Sequence, residues 1–465
     1  MHDASSSQPT LRQLFRNRNF TKFWVGQLIS YLGDRIDQMA MIGVVSAGVT
    51  QAVAADRANM ITFWATLPYV FFSLVAGPIV DRFDRRRLMI VLDIFRAIIV
   101  IAIPFAISPE HDVRVIYALV LLIGCATAIF APAKSAFLPE IVPEEMLLRA
   151  NSVTATMGTL TTLFGTVIGG ALVTGLARLN EVAHHTIPAL NLIKLPLGLA
   201  TAFVIDSATY IVSAVLLWLI AVEARERAQI SRRESEVRTE GRFVQKIFDG
   251  LMFLSRHRVP AIAALMVSWF FFIGGAYFTL TTKIVYLRLV MDEAEAPLRL
   301  GYAYGALGLG LAIGGIITGR IAYRRPLRAF VPACFSVASI LILANLLPVP
   351  AQFHYLVNLA IGLVAGGVVV SMETVMQRAV PDSMRGRVFA FNNLLLNTLL
   401  LGSLLAGARI LRASAGTGAL GSIDGRLLLW TICTAVLAFV GAGIALIGLP
   451  RGLAIADVHA SETQP

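Results

Sequence analysis

Apolar residues fill run after run of this chain, each about as long as a bilayer is thick, with short polar stretches between them. A helix rises about 1.5 Å per residue, so roughly 20 apolar residues cross the ~30 Å of hydrocarbon. On that measure the pattern predicts helices over 21–50, 60–80, 88–107, 113–136, 150–176 and 199–222. A second set follows over 260–287, 299–322, 329–347, 353–378, 388–411 and 426–449. The expectation is an all-α polytopic membrane protein with twelve transmembrane helices. Between the sets, EARERAQISRRESEVRTEGRFVQKIFDGLMFLSRHR (223–258) is densely charged and reads as a linker, partly helical. The predicted division is a tail (1–20), a six-helix half (21–222), the linker (223–258), a second six-helix half (259–449) and a closing tail (450–465).

Composition strengthens this reading. Of the 465 residues, 57% are hydrophobic and 14% charged, where soluble domains carry roughly a quarter charged residues. The net charge of +11 would suit nucleic acid, but the basic residues sit in short loops rather than along one polar surface. No nucleic-acid partner is expected. Arg12, Arg16, Arg18 and Lys22, then Arg82 and Arg85 to Arg87, the linker, Arg324, Arg325 and Arg328, and Arg385 and Arg387 all fall on one side of the predicted membrane. The opposite loops are poorer in them, and VMDEAEAPL is acidic. The positive-inside rule then puts both termini in the cytoplasm. The three cysteines, Cys125, Cys334 and Cys433, lie inside apolar runs and read as small buried hydrophobes, not as a disulfide framework. The N-terminal residues lack the short apolar core and cleavage site of a signal peptide, so the first spanning helix is expected to direct insertion.

A shift of 238 residues exposes an internal repeat. It sets GPIVDRFDRRRLM (77–89) over GIITGRIAYRRPL (315–327), with Gly77 on Gly315, Arg82 on Arg320 and Arg87 on Arg325. The same shift puts Gly124 on Gly362, Val142 and Pro143 on Val380 and Pro381, Met146 on Met384, Arg149 on Arg387 and Gly169 on Gly407. Parallel repeats of this kind place a substrate cavity between the halves, which rock to expose it alternately.

The first-half copy carries a recognisable loop signature, G-x-x-x-D-R-x-G-R-R/K, in Gly77, Asp81, Arg82, Arg85 and Arg86, with Asp84 where the pattern has glycine. With LFRNRNFTKFWVGQLISYLGD, APAKSAFLPEIVPEEMLLRANS and QRAVPDSMRGRVFA, the chain resembles the major facilitator superfamily over essentially its full length. It looks most like the bacterial macrolide and enterobactin exporters, with the lysophospholipid transporters a nearby branch. The resemblance implies that Gly77, Asp81, Arg82, Arg85 and Arg86 form a cytoplasmic latch that breaks during transport. Asp93 and Arg96, three apart on one helix face, read as an ion pair feeding that latch, with a substrate contact the alternative. The plainer reading, arginines that only anchor topology, leaves Asp81 unexplained; the second copy has Gly319 there. TTLFGTVIGG (161–170) resembles the antiporter signature at Gly165, Gly169 and Gly170, with Thr161 and Thr166 departing from it. Gly165 and Gly169, four apart, also permit close helix packing.

Other charges lie at membrane depth, where they are costly and face the protein interior or a wet cavity. GDRID places Asp34 and Asp37 three apart around Arg35. A partly dehydrated carboxylate can exchange protons at ordinary pH, so these are the proton-coupling candidates; a fixed network with Arg35 is the competing reading. Arg35, Asp206, Glu373, Asn392, Asn393 and Asn397 are candidates for the substrate cavity, with interhelical hydrogen bonding the alternative for the asparagines. Lys134, Arg378 and Glu373 lie near enough to the predicted interface to snorkel, and Lys283 is a further intramembrane charge.

No G-x-x-x-x-G-K-[ST], HExxH, CxxC or G-x-S-x-G motif is present, so no enzyme, metal site or ATP hydrolysis is expected. A channel would lack the latch, and a receptor or scaffold on the same fold is the rival from another class. The reading is a secondary active exporter of the bacterial inner (plasma) membrane. It would work by proton antiport and alternating access, need no cofactor beyond the proton gradient, and act as a monomer. Its partners are the bilayer and a small molecule. The resemblance makes that molecule amphipathic or hydrophobic, such as a drug, siderophore or metabolite, with lysophospholipid movement the alternative.

Overall fold

The computed structural model describes residues 11–106, 113–183, 197–220, 243–292, 295–321, 325–347, 350–412, 425–455 and 458, and these are almost entirely helical. The helices are α1 (Leu11–Arg16), α2 (Arg18–Ser46), α3 (Gln51–Arg82), α4 (Arg85–Ala106), α5 (Val113–Ile141), α6 (Glu144–Ala183) and α7 (Leu197–Trp218). Within the charged linker lies α8 (Phe243–Arg256), and after it come α9 (Arg258–Ile284), α10 (Ala296–Ile321), α11 (Leu327–Ala344), α12 (Ala351–Ala379), α13 (Asp382–Arg412) and α14 (Gly425–Gly448). Among the described residues, ten helices are long and apolar enough to cross a membrane. The expected count of twelve is therefore not reached on length and composition alone: α2 and α3 are long but fall outside the ten. Charge explains much of this for α2, which carries Arg18, Lys22, Asp34, Arg35 and Asp37.

Local chemistry fixes several helix ends. Asn17 caps α2, accepting the backbone N–H groups of Asn19 and Phe20 at 3.0 and 3.2 Å. Its amide also donates to the Ile141 carbonyl at 2.8 Å, which ties the start of α2 to the end of α5. Asp84 caps α4 by accepting the Arg87 N–H at 2.8 Å. That capping role gives the aspartate at the signature's usual glycine a physical reason. Glu144 and Glu145 occupy the first turn of α6, where the helix dipole favours carboxylates. Several predicted starts move toward the N-terminus, most of all α3, which begins at Gln51 rather than 60, and α6 and α13, which begin at Glu144 rather than 150 and at Asp382 rather than 388. Asp56, in the second turn of α3, faces Lys283 of α9 at 3.3 Å.

Packing repeats along the chain. In the first set of long helices α2 packs on α6 and α7, α3 on α5, and α4 on α7; in the second, α9 packs on α13 and α14, α10 on α12, and α11 on α14. The 238-residue shift carries α5 onto α12 at both ends, and the start of α6 onto the start of α13. The two sets meet where α6 packs on α10 and α3 on α13. Gly170 lies against the Pro297 backbone, with a Cβ there only 2.5 Å from its carbonyl oxygen, and Gly301 lies against Thr166 in the same way, at 2.6 Å. Met60, Phe63, Leu401 and Ala408 form an apolar cluster between α3 and α13. Ser46 bonds Tyr286, the Gln51 amide donates to the Val290 carbonyl at 2.8 Å, and Lys283 reaches the Ala52 carbonyl at 3.0 Å. These polar contacts knit the sets together at the end opposite the basic loops, where α9 runs on into one π turn, Val285–Leu289.

Candidate functional site

The densest buried chemistry lies where α2, α4 and α7 meet. Glycines bring α2 and α7 close: a Cβ at Gly26 would touch Leu216 and Ser213 at 3.5 Å, and one at Gly33 would collide with the side chains of Asp206 and Thr209. Asp206 is fully buried in this seam and accepts from Thr209 at 3.1 Å. Across it, Tyr210 donates to Asp34 at 2.5 Å. Asp34, Asp37 and Asp206 are close enough for their charges to act on one another. Asp37 Oδ1 and Asp206 Oδ2 are buried without a hydrogen-bond partner among the described residues.

Arg96 of α4 closes the seam from beneath. It pairs with Asp93, three residues earlier on the same helix, and both are buried. Its guanidinium lies 4.4 Å from the ring centre of Phe130 and 4.3 Å from that of Tyr210, so two aromatic faces share the cost of burying it. The expected Asp93–Arg96 pair is thus present in the structure, and through Tyr210 it touches Asp34 and not only the loop below. Because Asp93 takes Arg96 as its partner, Asp34, Asp37 and Asp206 have no ion-pair partner among the described residues.

Arg35 does not supply one. The competing network of Arg35 with Asp34 or Asp37 is not what the structure contains: the guanidinium turns to Gln38 at 2.9 Å and to Thr162 of α6 at 3.2 Å. Helical geometry separates the two faces. Tyr31, Arg35 and Gln38 recur at spacings of four and three along one stripe, while Gly33 and Asp37 lie on the stripe facing α7. The antiporter-like glycines do pack closely: Cβ atoms at Gly165 and Gly169 would lie 2.8 Å from Arg35 Cγ and from the Arg35 carbonyl oxygen. They press α6 onto the stem of Arg35, and Gly170 packs on α10 instead. Lys134 does not snorkel; it donates to the Tyr31 hydroxyl and sits 4.7 Å from that ring's centre.

The remaining expected residues are dispersed. Asp206 is no cavity residue, since it is sealed between α2 and α7. Asn392 is buried and accepts from Ser268 of α9 at 3.2 Å, which is the interhelical alternative. Asn393 is exposed, and Asn397 is half-buried with its amide on the Asn393 carbonyl at 2.8 Å. Glu373 is half-buried on α12, and Arg378 donates to the Ile455 carbonyl at 2.9 Å. In the signature loop, Gly77 is half-buried and Arg82 exposed, and the Asp81 side chain lies outside the described residues. Arg85 pairs with Glu140 at the end of α5 at 2.7 Å, and Arg86 donates to the Leu217 carbonyl at 2.8 Å and to that of Trp218. Both hold their own set of helices together, and Arg86 also meets the negative end of the α7 dipole.

Sequence reading missed Tyr210, Thr209, Tyr31, Thr162 and Glu140. The run Asp206, Thr209, Tyr210 sits at spacings of three and four, which was the available signal for a polar face on α7. Nothing local pointed to the Lys283–Asp56 pair, whose members lie in different sets of helices.

Comparison with known proteins agrees with this architecture. An uncharacterised MFS-type transporter of Bacillus subtilis, YfiS, is 25% identical over 94% of this chain and 95% of its own. Macrolide efflux protein A of Streptococcus pyogenes is 21% identical over 81% of this chain and 85% of its own. Among solved structures, a bacterial homologue of the human lysosomal transporter Spinster, inward-facing and occupied, superposes with a TM-score of 0.67 at 13% identity. It covers 97% of this chain and 99% of that one, a likeness of fold alone. The Major Facilitator Superfamily model matches residues 23–407, and with the repeated helix packing and the membrane-length apolar helices, this chain belongs to that superfamily of multi-pass membrane transporters.

Proposed function

We propose that this transporter is a proton-driven exporter of a small amphipathic or hydrophobic solute. The observation that carries the reading is the carboxylate trio of Asp34, Asp37 and Asp206 in the α2–α7 seam, which has no ion-pair partner among the described residues. Asp206 is fully buried and Asp34 and Asp37 are half-buried beside it, and three carboxylates so placed are costly when all are charged. Proton uptake relieves that cost, and proton loss restores it, which gives the seam two states of different packing. Arg35 rides on the same helix, pressed by Gly165 and Gly169 and aimed at Thr162. A change in the seam therefore shifts α2, and with it the polar stripe of Tyr31, Arg35 and Gln38 that would meet substrate.

In this reading twelve helices cross the bacterial inner membrane as two six-helix halves, residues 21–222 and 259–449, with both termini cytoplasmic and the chain acting alone. Lys283, Asp56, Ser46 and Tyr286 close the outer end, and Gly77, Asp81, Arg82, Arg85 and Arg86 act at the inner end once the halves rock. Efflux as the direction is supported by the likeness to macrolide efflux protein A.

The test is the purified chain in liposomes with an imposed pH gradient, screened with drugs, siderophores and a lysophospholipid. Gradient-dependent movement of an amphipathic solute is the expected result, with trans-substrate accelerating exchange. Movement of none of them would overturn the transport reading in favour of a receptor or scaffold. Unchanged proton coupling in Asp34→Asn and in Asp37→Asn would exclude those two carboxylates as carriers.

A further inference from the structure

The connector helix α8 is apolar on the wrong side for a helix in water. Its residues Gly250 and Asp249 face α13: a Cβ at Gly250 would run into the Arg387 backbone, and Arg387 pairs with Asp249 at 3.1 Å. Leu254 is buried on that inner face. The opposite stripe holds Phe248, Leu251, Met252 and Ser255, spaced three and four apart, and the three apolar members are 60%, 43% and 50% exposed. An amphipathic helix of this length normally buries its apolar stripe. Here one apolar stripe is left uncovered by the described residues.

Position and charge indicate what covers it. Only His257 separates α8 from α9, a membrane-length helix. That joint is stiff: the His257 N–H donates to the Phe253 carbonyl at 3.1 Å, and its ring stacks on Phe253 with centres 4.0 Å apart. α8 also touches α3, and its contacts with Arg387 near the start of α13 put it at the basic-loop end of the bundle. Arg256 and Arg258 are exposed at the joint, and Arg258 reaches the Ile447 carbonyl at the end of α14 at 3.3 Å. The preceding linker, 223–242, holds six arginines and five glutamates, with only alanines, Ile230 and Val237 as apolar residues, so it is poorly suited to cover such a stripe.

We propose that α8 is an interfacial lipid-binding helix. Phe248, Leu251 and Met252 insert among the acyl chains of the leaflet on the basic-loop side, and Arg256 and Arg258 take the phosphates of anionic lipids. The combination of an apolar stripe with flanking arginines is the physical signature of such a helix. Because α8 is pinned to α13 and touches α3, lipid held there would bear on the two helix sets together.

The experiment labels single cysteines with a nitroxide in a background with Cys125→Ala, Cys334→Ala and Cys433→Ala, using the full chain in vesicles. Leu251→Cys is compared with Arg325→Cys, an exposed loop position. The expected result at 251 is strong broadening by oxygen with loss of broadening by a water-soluble nickel chelate, and the reverse at 325. Phosphatidylglycerol vesicles should place the 251 label deeper than phosphatidylcholine ones, and Arg256→Gln with Arg258→Gln should remove that difference. Nickel access at 251 equal to that at 325 would overturn the proposal, as would protection from both reagents, which means a protein cover. A label depth that ignores anionic lipid would overturn the part assigned to the arginines. None of these readouts depends on transport, so failure here and failure of the exporter reading are separable.

Discussion

The α2–α4–α7 seam and its counterpart in the second set of helices make opposite use of one architecture. The 238-residue shift puts Arg35 on Ile273 and Arg96 on Cys334, and Asp34, Asp37, Asp93 and Asp206 on Phe272, Gly275, Val331 and Ile444. Where the first set buries carboxylates and a guanidinium, the second holds an apolar pocket lined by Phe270, Ile273, Tyr277, Cys334 and Phe335 among others. The shared frame tolerates either filling because close packing, not polarity, holds it. The glycine at 169 meets the Arg35 backbone, and its repeat partner Gly407 meets Thr279 and Trp430. The lesson is a division of labour between the two equivalent seams: the first holds the charge, and the second offers a greasy surface.

Four changes would break or sharpen this contrast. The largest effect is expected from Asp34→Asn, Asp37→Asn and Asp206→Asn combined, which should reduce solute movement to its rate without a pH gradient, while Ile273→Val should leave gradient dependence intact. Equal loss in both would remove the division of labour. Next, Arg96→Met leaves Asp93 buried and unpaired, which costs about 3–5 kcal/mol. Thermal unfolding in detergent should register that loss, and Asp93→Val with Arg96→Cys, the pair the repeat uses, should recover most of it. Third, Gly169→Val and Gly407→Val should each destabilise by about 1–3 kcal/mol through overpacking, since both glycines meet neighbours inside contact distance. A large cost in one set alone would mean that the frames are not equivalent. The smallest change is Ser46→Ala, which removes the bond to Tyr286 between the sets and should cost about 1 kcal/mol. A cysteine-accessibility assay at Gln51 would register it as easier opening of that end.

Much of the site was legible in part. Asp34, Asp37, Asp93, Arg96 and Asp206 stand out as charges inside apolar runs, and the i,i+3 spacing of Asp93 and Arg96 predicts the pair that forms. The assignment of Asp206 to a cavity failed because polarity inside a membrane helix does not say which neighbour it faces. Arg35 beside two aspartates suggested a local network, yet adjacent residues point about 100° apart on a helix, and Arg35 left them for Thr162. Asp84 looked like a departure from the loop signature, and it is the N-cap of α4.

By itself the sequence determined the membrane class, the repeat, and nearly every long helix, because run length against bilayer thickness is a one-dimensional property. Only the tertiary structure decided that Asp206 joins Asp34 and Asp37, that Lys283 closes on Asp56, and that α8 turns an apolar stripe outward. Each of those depends on the rotation and approach of helices far apart in the chain. That approach is set by small residues such as Gly33, Gly169 and Gly250, whose partners the sequence does not name.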